Sequence, residues 1–282
     1  MLELLLTSSE RADGLSGERL QSAVQALHDD GVVVLHDAVA PEHIALLRDK
    51  MLADVEEILK RPDAPFNFNT GNVQQDPPPF APYLFRDVLF NEAVISVTRA
   101  VLGPGLFNSF YSGNTAIKGG DRQPVHPDFG QLWPNLEHPT PPYCLAINVP
   151  LVDFREENGA TELWPGTHRD PTFDISQGAP RVEERHLARW RDRGPVRALV
   201  PAGSAVIRDL RMWHAGMPNT TDVPRPMIAM IHFPSWWTAT APFPVPASER
   251  AFFDHPTLRH NVSFVEGEVN YLAHGQAYDL DK

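Results

Sequence analysis

The sequence has a single cysteine, Cys144, among its 282 residues. One thiol cannot form an intramolecular disulfide or a cysteine-based zinc site, so both are excluded as sources of stability. The scarcity of cysteine suits a reducing compartment, and on this ground we expect a cytoplasmic protein.

Long apolar runs and an excess of basic residues are also lacking. No stretch approaches the roughly 18 apolar residues of a membrane-spanning helix, and the start, MLELLLTSSER, has neither the basic flank nor the apolar length of a signal peptide. Lys and Arg number 24 against 36 Asp and Glu, a net charge of −12, which argues against a nucleic-acid surface. We therefore expect the partner to be a small molecule, and the negative net charge favours one that is neutral or cationic. The alternative is that the excess of acidic residues serves only solubility. The oligomeric state stays open.

Proline is abundant, with 28 residues along the chain, and predicts many turns. Before residue 105, apolar residues recur at helical spacing in segments 16–31, 40–61 and 91–103, and VVVLHD at 32–37 reads as a buried strand. Short β-rich runs broken by Gly, Pro and Asn follow, interrupted by one more helix at 181–194. This order predicts an all-β core with helices (α+β), a sandwich or barrel backed by N-terminal helices.

We expect one domain over residues 1–282, with 1–104 as helical support and a lid loop, 105–235 as the core and 236–282 as a C-terminal extension. The proposed lid, residues 61–87, is long and rich in proline, and such loops inside compact domains are usually functional. Gln75 and Asp76 in this loop are predicted substrate contacts; the alternative is a connection that merely wraps the barrel. Trp133 is a third predicted substrate contact because a flat ring offers a large contact area, with core packing as its alternative.

The stretch RQPVHPDFGQLWP places His126 and Asp128 two residues apart where a strand ends in a loop. Strand geometry directs residues i and i+2 to one face, which suits two metal ligands, although a His-x-Asp pair also arises by chance in a chain with 12 His. A third ligand, His214 in RDLRMWHAG, would complete two histidines and a carboxylate, the facial triad of non-haem Fe(II) oxygenases. Taken alone, a histidine such as His214 is more often a core or loop residue than a metal ligand.

Arg225 leads into the apolar strand PMIAMIHF. A desolvated guanidinium needs a partner, and its planar fork matches a carboxylate with two parallel hydrogen bonds. A dicarboxylate cosubstrate would be that partner, and an Asp or Glu of the protein is the alternative.

Three ordered blocks, HPD, ENGATELWPGTH and WHAGMPNTTDVPRP, resemble the phytanoyl-CoA dioxygenase superfamily of Fe(II)/2-oxoglutarate oxygenases. The resemblance covers most of residues 17–235, with Thr167 where Ser is common. Further segments, among them NVQQDPPP and PPYCL, are similar to the branch that tailors bacterial aminoglycoside antibiotics. The fold implied is a double-stranded β-helix, the cupin-like jelly roll.

The resemblance also implies the roles of the site residues. His126, Asp128 and His214 would be the iron ligands and the catalytic centre, Arg225 would clamp the distal carboxylate of 2-oxoglutarate, and Asn114 and Thr161 would be further cosubstrate contacts. The cofactors would be Fe(II), 2-oxoglutarate and O2, with succinate and CO2 released. Halogenating relatives lack the carboxylate ligand, so Asp128 favours hydroxylation, ketone formation or desaturation of a secondary metabolite.

Two other classes remain open. A metal-dependent isomerase or hydrolase on a similar barrel would use the same His-Asp-His set with Zn²⁺, but would leave Arg225 without a role. A non-catalytic small-molecule-binding relative would retain the barrel without turnover. Succinate formation from added 2-oxoglutarate distinguishes these from an oxygenase.

Overall fold

The computed structural model describes residues 1–68, 71–173, 175, 181–238 and 241–273, and the statements below refer to these residues. Their α-helices are α1 Ser8–Asp13, α2 Gly17–Asp29, α3 Pro41–Leu59, α4 Arg86–Leu89, α5 Glu92–Leu102 and α6 Glu184–Leu187. Their strands are β1 Leu2–Leu5, β2 Val32–His36, β3 Asn72–Gln74, β4 Phe107–Ala116, β5 Leu145–Pro150, β6 Glu162–Leu163, β7 Val196–Arg197, β8 Ala205–Asp209, β9 His214–Ala215, β10 Arg225–Phe233, β11 Phe243–Pro246, β12 Arg259–His260 and β13 Val262–Val265.

Two sheets face one another across the interior. The larger is eight-stranded, in the order β1-β2-β8-β5-β10-β4-β12, with β3 also paired to β4. Its pairs are antiparallel except β1 with β2 and β12 with β4. The smaller sheet runs β7-β6-β9, and a separate pair joins β11 to β13. A cavity of about 470 Å³ is lined by residues of both the larger and the smaller sheet.

Strand alternation divides the larger sheet into a helix-packed face and a cavity face. On β5, Leu145, Ile147 and Val149 join the main hydrophobic core, whereas Ala146 and Asn148 line the cavity. This is the period of two that a strand imposes on its side chains. Helices α2, α3 and α5 supply the opposite half of that core through buried residues, including Leu27, Leu47, Met51, Val94 and Val97.

The three N-terminal helices predicted from apolar spacing are confirmed as α2, α3 and α5, and the strand between the first two as β2. Helix α2 ends before Gly31, which adopts φ 79°, a conformation that glycine reaches without Cβ strain. The helix predicted at 181–194 is shorter than expected, because only α6 and a following 3₁₀ turn form there. Strand β1 was not predicted.

The expected boundary at 105–235 does not coincide with the larger sheet. Strands β1, β2 and β3 come from before residue 105, and β12 comes from after residue 235. The reason is that a strand completes the backbone hydrogen bonding of its neighbours in the sheet wherever it lies in the sequence. No helix among the described residues is long and apolar enough to cross a membrane.

Candidate metal centre

Backbone pairing brings His126, Asp128 and His214 together. The N–H of His126 donates to the carbonyl of His214 at 3.0 Å, and the N–H of His214 donates back at 2.9 Å, so the two residues form an isolated antiparallel bridge. Two residues further on, the N–H of Asp128 donates to the carbonyl of Leu210 at 3.0 Å. The His-x-Asp segment is thus held against the β8–β9 connection, and two hydrogen bonds join histidines that lie 88 residues apart in the sequence.

The side chains of these three residues offer ligand atoms that all lie within 4.8 Å of one another. Asp128 Oδ1 is 3.6 Å from His214 Nε2 and 4.0 Å from His126 Nε2. Each histidine places Nδ1 against a backbone carbonyl, at 2.8 Å from Pro124 O for His126 and 3.2 Å from Met212 O for His214. With Nδ1–H donating there, each Nε2 lone pair is left for a metal, as in many metal-ligating histidines.

The electrostatics of the three side chains suit a divalent cation. Burial lowers the pKa of His126 and lowers that of His214 well below its usual value, so both imidazoles are neutral at pH 7. Burial alone would raise the pKa of Asp128, but the positive charge of Arg208 and the hydrogen bond that it donates outweigh burial and hold this pKa below its usual value. Two neutral imidazoles and one carboxylate on one side of a point fit Fe(II) with open positions.

Arg225 lies at the start of β10 and lines the same cavity. Its side chain is 2% exposed, and its Nε donates to the carbonyl of Asn158 at 3.1 Å. The guanidinium stacks over Phe154, 4.4 Å from the ring centroid. Burial, with a smaller contribution from Arg197, lowers the pKa of Arg225 to about 10, so it remains charged at pH 7.

The Nη1 atom of Arg225 is buried and has no hydrogen-bond partner among the described residues. No carboxylate among the described residues pairs with it, so the alternative partner, an Asp or Glu of the protein, is not found there. An unpaired buried charge is costly, and a carboxylate arriving in the cavity would offset this cost. The site therefore fits 2-oxoglutarate. Asn114 and Thr161 also line the cavity, and Asn114 lies opposite Met227, two residues from Arg225, in the β4–β10 pair.

The three predicted substrate contacts are not in this cavity. Gln75 is 0% exposed; its amide donates to Met51 O at 2.7 Å and accepts from Thr115 Oγ1 at 2.6 Å. Pairing of β3 with β4 turns it inward, because the strand period directs alternate residues to opposite faces. Asp76 lines a separate, smaller cavity beside Tyr111. Trp133 is 62% exposed and does not line either cavity.

Two residues of the cavity were not among the contacts predicted from the sequence. Gln74, the neighbour of Gln75, lines it in place of Gln75. Arg208 on β8 also lines it, and its Nη2 donates to Asp128 Oδ2 at 2.5 Å. A weaker signal for Arg208 was present in the sequence, since this charge ends the apolar run AVI much as Arg225 precedes one, although Asp209 follows Arg208 directly.

The fold and this site define the class of Fe(II)- and 2-oxoglutarate-dependent dioxygenases, whose cofactor and cosubstrates are iron, 2-oxoglutarate and O2. Residues 27–227 match the phytanoyl-CoA dioxygenase (PhyH) family. The chain therefore belongs to the PhyH family.

Curated relatives carry names of the same class. The chain is 24% identical over 230 residues to dioxygenase trt7 of Aspergillus terreus, covering 77% of this chain and 74% of the relative. It is 26% identical to the iron/alpha-ketoglutarate-dependent dioxygenase ausU of Aspergillus calidoustus, covering 73% and 67%. A third match, dioxygenase af480 of Aspergillus fumigatus, is 29% identical, covers 55% of this chain and spans 46% of that relative's length.

Solved structures share the fold at low sequence identity. AviO1 from Streptomyces viridochromogenes Tue57 superposes with a TM-score of 0.55 at 21% identity, covering 80% of this chain and 100% of that chain. The non-haem alpha-ketoglutarate-dependent epimerase SnoN from nogalamycin biosynthesis gives 0.54 at 17% identity, covering 77% and 81%.

Proposed function

We propose that this protein is an Fe(II)/2-oxoglutarate-dependent oxygenase that oxidises a small molecule of secondary metabolism and releases succinate and CO2. The observation that carries the proposal is the buried Nη1 of Arg225, unpaired among the described residues and sharing one cavity with the His-Asp-His cluster. An isomerase or hydrolase that used the same three ligands with Zn²⁺ would have no need of that charge.

In this proposal each residue of the site has a separate task. Fe(II) is held by Nε2 of His126, Nε2 of His214 and a carboxylate oxygen of Asp128. Arg225 binds the distal carboxylate of 2-oxoglutarate, assisted by Asn114 and Thr161. When bound, iron and 2-oxoglutarate supply the oxidising chemistry: O2 is reduced as the 2-oxo acid loses CO2 and a substrate C–H bond is oxidised. The chain orients the reactants and keeps water out.

The fold proposed for the whole chain is one domain, residues 1–282, with a double-stranded β-helix backed by helices. The two facing sheets with the cavity between them support this arrangement. The core includes edge strands from both ends of the chain, and so extends beyond residues 105–235. A cytoplasmic location and the lack of nucleic-acid or membrane partners stay predictions.

The outcome we propose is hydroxylation, ketone formation or desaturation. Asp128 supplies the carboxylate ligand, and a site with this ligand favours oxygenation or desaturation over halogenation. The structural similarity to SnoN, whose description places it in nogalamycin biosynthesis, supports a secondary-metabolite substrate.

The test starts from protein stripped of metal and kept without oxygen. Fe(II) and 2-oxoglutarate are added, the visible charge-transfer absorption of their chelate is recorded, and succinate is measured after O2 is admitted. We expect both the absorption and succinate, with neither appearing when Zn²⁺ replaces Fe(II). Tight metal binding with no 2-oxoglutarate binding would overturn the oxygenase and favour the hydrolase or isomerase.

A further inference from the structure

Arg208 presents a second buried guanidinium to the same cavity. It is 7% exposed and lines the cavity from β8. One of its terminal nitrogens, Nη2, is committed to Asp128 Oδ2 at 2.5 Å. The other, Nη1, is buried and has no hydrogen-bond partner within the described part of the chain. An arginine has only donors, so this nitrogen is available to donate to an acceptor that enters the cavity.

Strand register places Arg208 at the end of the cavity opposite to Arg225. Arg208 pairs with Ala146 on β5, and Ala146 pairs with Ile231 on β10, so the three form one row across the sheet. Ile231 and Arg225 are six residues apart on β10, a backbone separation on the order of 20 Å. The metal-binding cluster adjoins Arg208, because Arg208 itself contacts Asp128. A 2-oxoglutarate clamped by Arg225 therefore fills the other end.

The surroundings of Arg208 are largely apolar and aromatic. The cavity at this end is lined by Phe129, Phe233, Leu210, Ile231 and Ala146. The rings of Phe129 and Phe233 meet edge to face with centroids 6.3 Å apart, and the ring of Trp237 stacks behind Phe233 at 5.8 Å. Such walls favour a flat or ring-containing molecule, and they offer no acceptor to the unpaired Nη1 of Arg208, which makes its burial costly.

Formal charge in the loaded cavity favours an anion. Among the residues that line it, the charged ones are Asp128, Arg208 and Arg225, and a histidine whose Nδ1–H donates to a backbone carbonyl while Nε2 binds the metal is a neutral ligand. Fe(II) and two guanidiniums carry four positive charges, whereas Asp128 and 2-oxoglutarate carry three negative ones. One positive charge is left for the primary substrate to neutralise, although the whole chain is acidic and by itself favours neutral or cationic ligands.

We propose that Arg208 Nη1 binds an anionic oxygen of the primary substrate, and that this substrate is a ring-containing, largely apolar acid carrying a carboxylate, enolate or phenolate. This inference rests on the proposed oxygenase function. The contact ties the substrate to the arginine that also holds Asp128, and so sets the oxidisable carbon beside the metal.

The test uses two probes of one shape, 2-naphthoate and neutral 2-naphthalenemethanol. Anaerobic protein carrying Fe(II) and saturating 2-oxoglutarate is titrated with each by calorimetry, while the charge-transfer absorption reports that 2-oxoglutarate stays bound. We expect naphthoate to bind at least about tenfold more tightly than the alcohol, a difference of about 1.4 kcal/mol. In Arg208→Lys, which keeps a cation for Asp128 but lacks the second terminal nitrogen of the guanidinium, this preference should disappear, with affinity for the alcohol and for 2-oxoglutarate unchanged.

Arg122→Lys is the matched control, because Arg122 also pairs with a buried carboxylate, Glu162, at 2.5 Å but does not line the cavity. It should keep the preference for naphthoate. Equal affinities of the wild-type protein for the two probes would overturn the proposal, and so would an Arg208→Lys variant that retains the preference. If Arg208→Lys weakens 2-oxoglutarate and naphthoate by the same factor, Arg208 serves the cosubstrate and the inference is wrong.

Two further outcomes distinguish failure of this inference from failure of the variant or of the oxygenase proposal. If Arg208→Lys fails to hold Fe(II), the wild-type comparison decides alone, because Arg208 is the cation at this end of the described cavity. If the wild-type protein fails to bind 2-oxoglutarate, the oxygenase proposal fails, whereas the naphthoate preference measured with Fe(II) alone still tests Arg208.

Discussion

At the scale of single residues, the metal centre depends on which nitrogen of each histidine is protonated. His126 and His214 both direct Nδ1 at the carbonyl two residues earlier in the chain, Pro124 and Met212. A carbonyl oxygen accepts a hydrogen bond only from a nitrogen that carries a proton. This contact therefore selects the tautomer with the proton on Nδ1, which leaves the lone pair of Nε2 free. The chain thereby prepares the ligands through short local contacts, and the backbone bridge between the two histidines aligns them.

Alanine substitution of His126, Asp128 or His214 should each remove Fe(II) binding and 2-oxoglutarate turnover while the fold survives, because each deletes a ligand and leaves the core intact. We expect iron affinity to fall by more than the roughly 10- to 100-fold that follows loss of a supporting contact. Iron content and circular dichroism measure the two effects. His138→Ala, at an exposed histidine, is the control, and full activity in any of the three variants would remove that residue from the ligand set.

Arg225→Met should raise the Kd for 2-oxoglutarate by roughly a hundredfold, about 3 kcal/mol, because one buried charge-assisted contact is lost. Affinity for the primary substrate should change little. Anaerobic titration of the Fe(II) protein with 2-oxoglutarate gives the first value. Arg197→Met is the control: Arg197 contributes positive charge near Arg225 but does not line the cavity. An equal loss of 2-oxoglutarate affinity in both variants would mean that the positive charge of the region matters and not a direct contact with Arg225.

At the scale of elements, the short strand β3 decides what the proline-rich segment 61–87 does. Its three residues pair with β4, from Asn72 opposite Ala116 to Gln74 opposite Asn114. Pairing makes this part of the segment an edge of the larger sheet and gives its neighbouring side chains opposite directions. Gln74 consequently faces the cavity, and Gln75 faces the protein interior. The sequence does not show this difference, because the segment lacks the apolar alternation from which strand faces are predicted.

Gln75→Ala should lower the free energy of unfolding by about 2 kcal/mol, because two buried hydrogen bonds, to Met51 O and from Thr115 Oγ1, lose their partner. Urea denaturation measures this loss. Gln74→Ala is the comparison, and it should destabilise less, since Gln74 is only half-buried, but should weaken primary-substrate binding. A Gln75→Ala variant of wild-type stability with weakened substrate binding would restore Gln75 as a substrate contact.

At the scale of the whole molecule, two further buried histidines join distant parts of the chain. His232 on β10 contacts Thr98 Oγ1 on α5 at 3.0 Å through Nδ1, and His260 on β12 contacts Leu89 O on α4 at 2.9 Å through Nε2. Burial lowers the pKa of each to about 3. Both are therefore neutral in the folded protein throughout the range in which an unfolded histidine, with a pKa of 6.5, takes up its proton.

The free energy of unfolding should therefore decrease as pH falls from 6.5 towards 3, because the unfolded chain binds protons that the folded chain does not. Each such histidine contributes a slope of about 1.4 kcal/mol per pH unit. His232→Gln should remove one such contribution between pH 6.5 and about pH 5, whatever its effect on stability at pH 8. Urea denaturation at several pH values measures the slope, with exposed His138→Gln as control. An unchanged slope in His232→Gln would contradict the shift assigned to it.

The sequence by itself determined the helices α2, α3 and α5, the β-rich core and the candidates for the metal centre. These depend on local patterns: helical spacing of apolar residues, strands broken by Gly and Pro, and ligand-type side chains in ordered blocks. Arg225 was equally visible, since a charge beside an apolar strand needs a partner.

Only the tertiary structure decided which side chains share a cavity. The choice of Gln74 over Gln75 follows from pairing of β3 with β4, and the approach of Arg208 to Asp128 follows from the position of β8 beside β5. Trp133 and Asp76 had the right chemistry for ligand contacts but lie elsewhere. Pairing register is set by hydrogen bonds between segments far apart in the chain, and a one-residue shift moves a side chain to the opposite face, so local patterns do not contain this information.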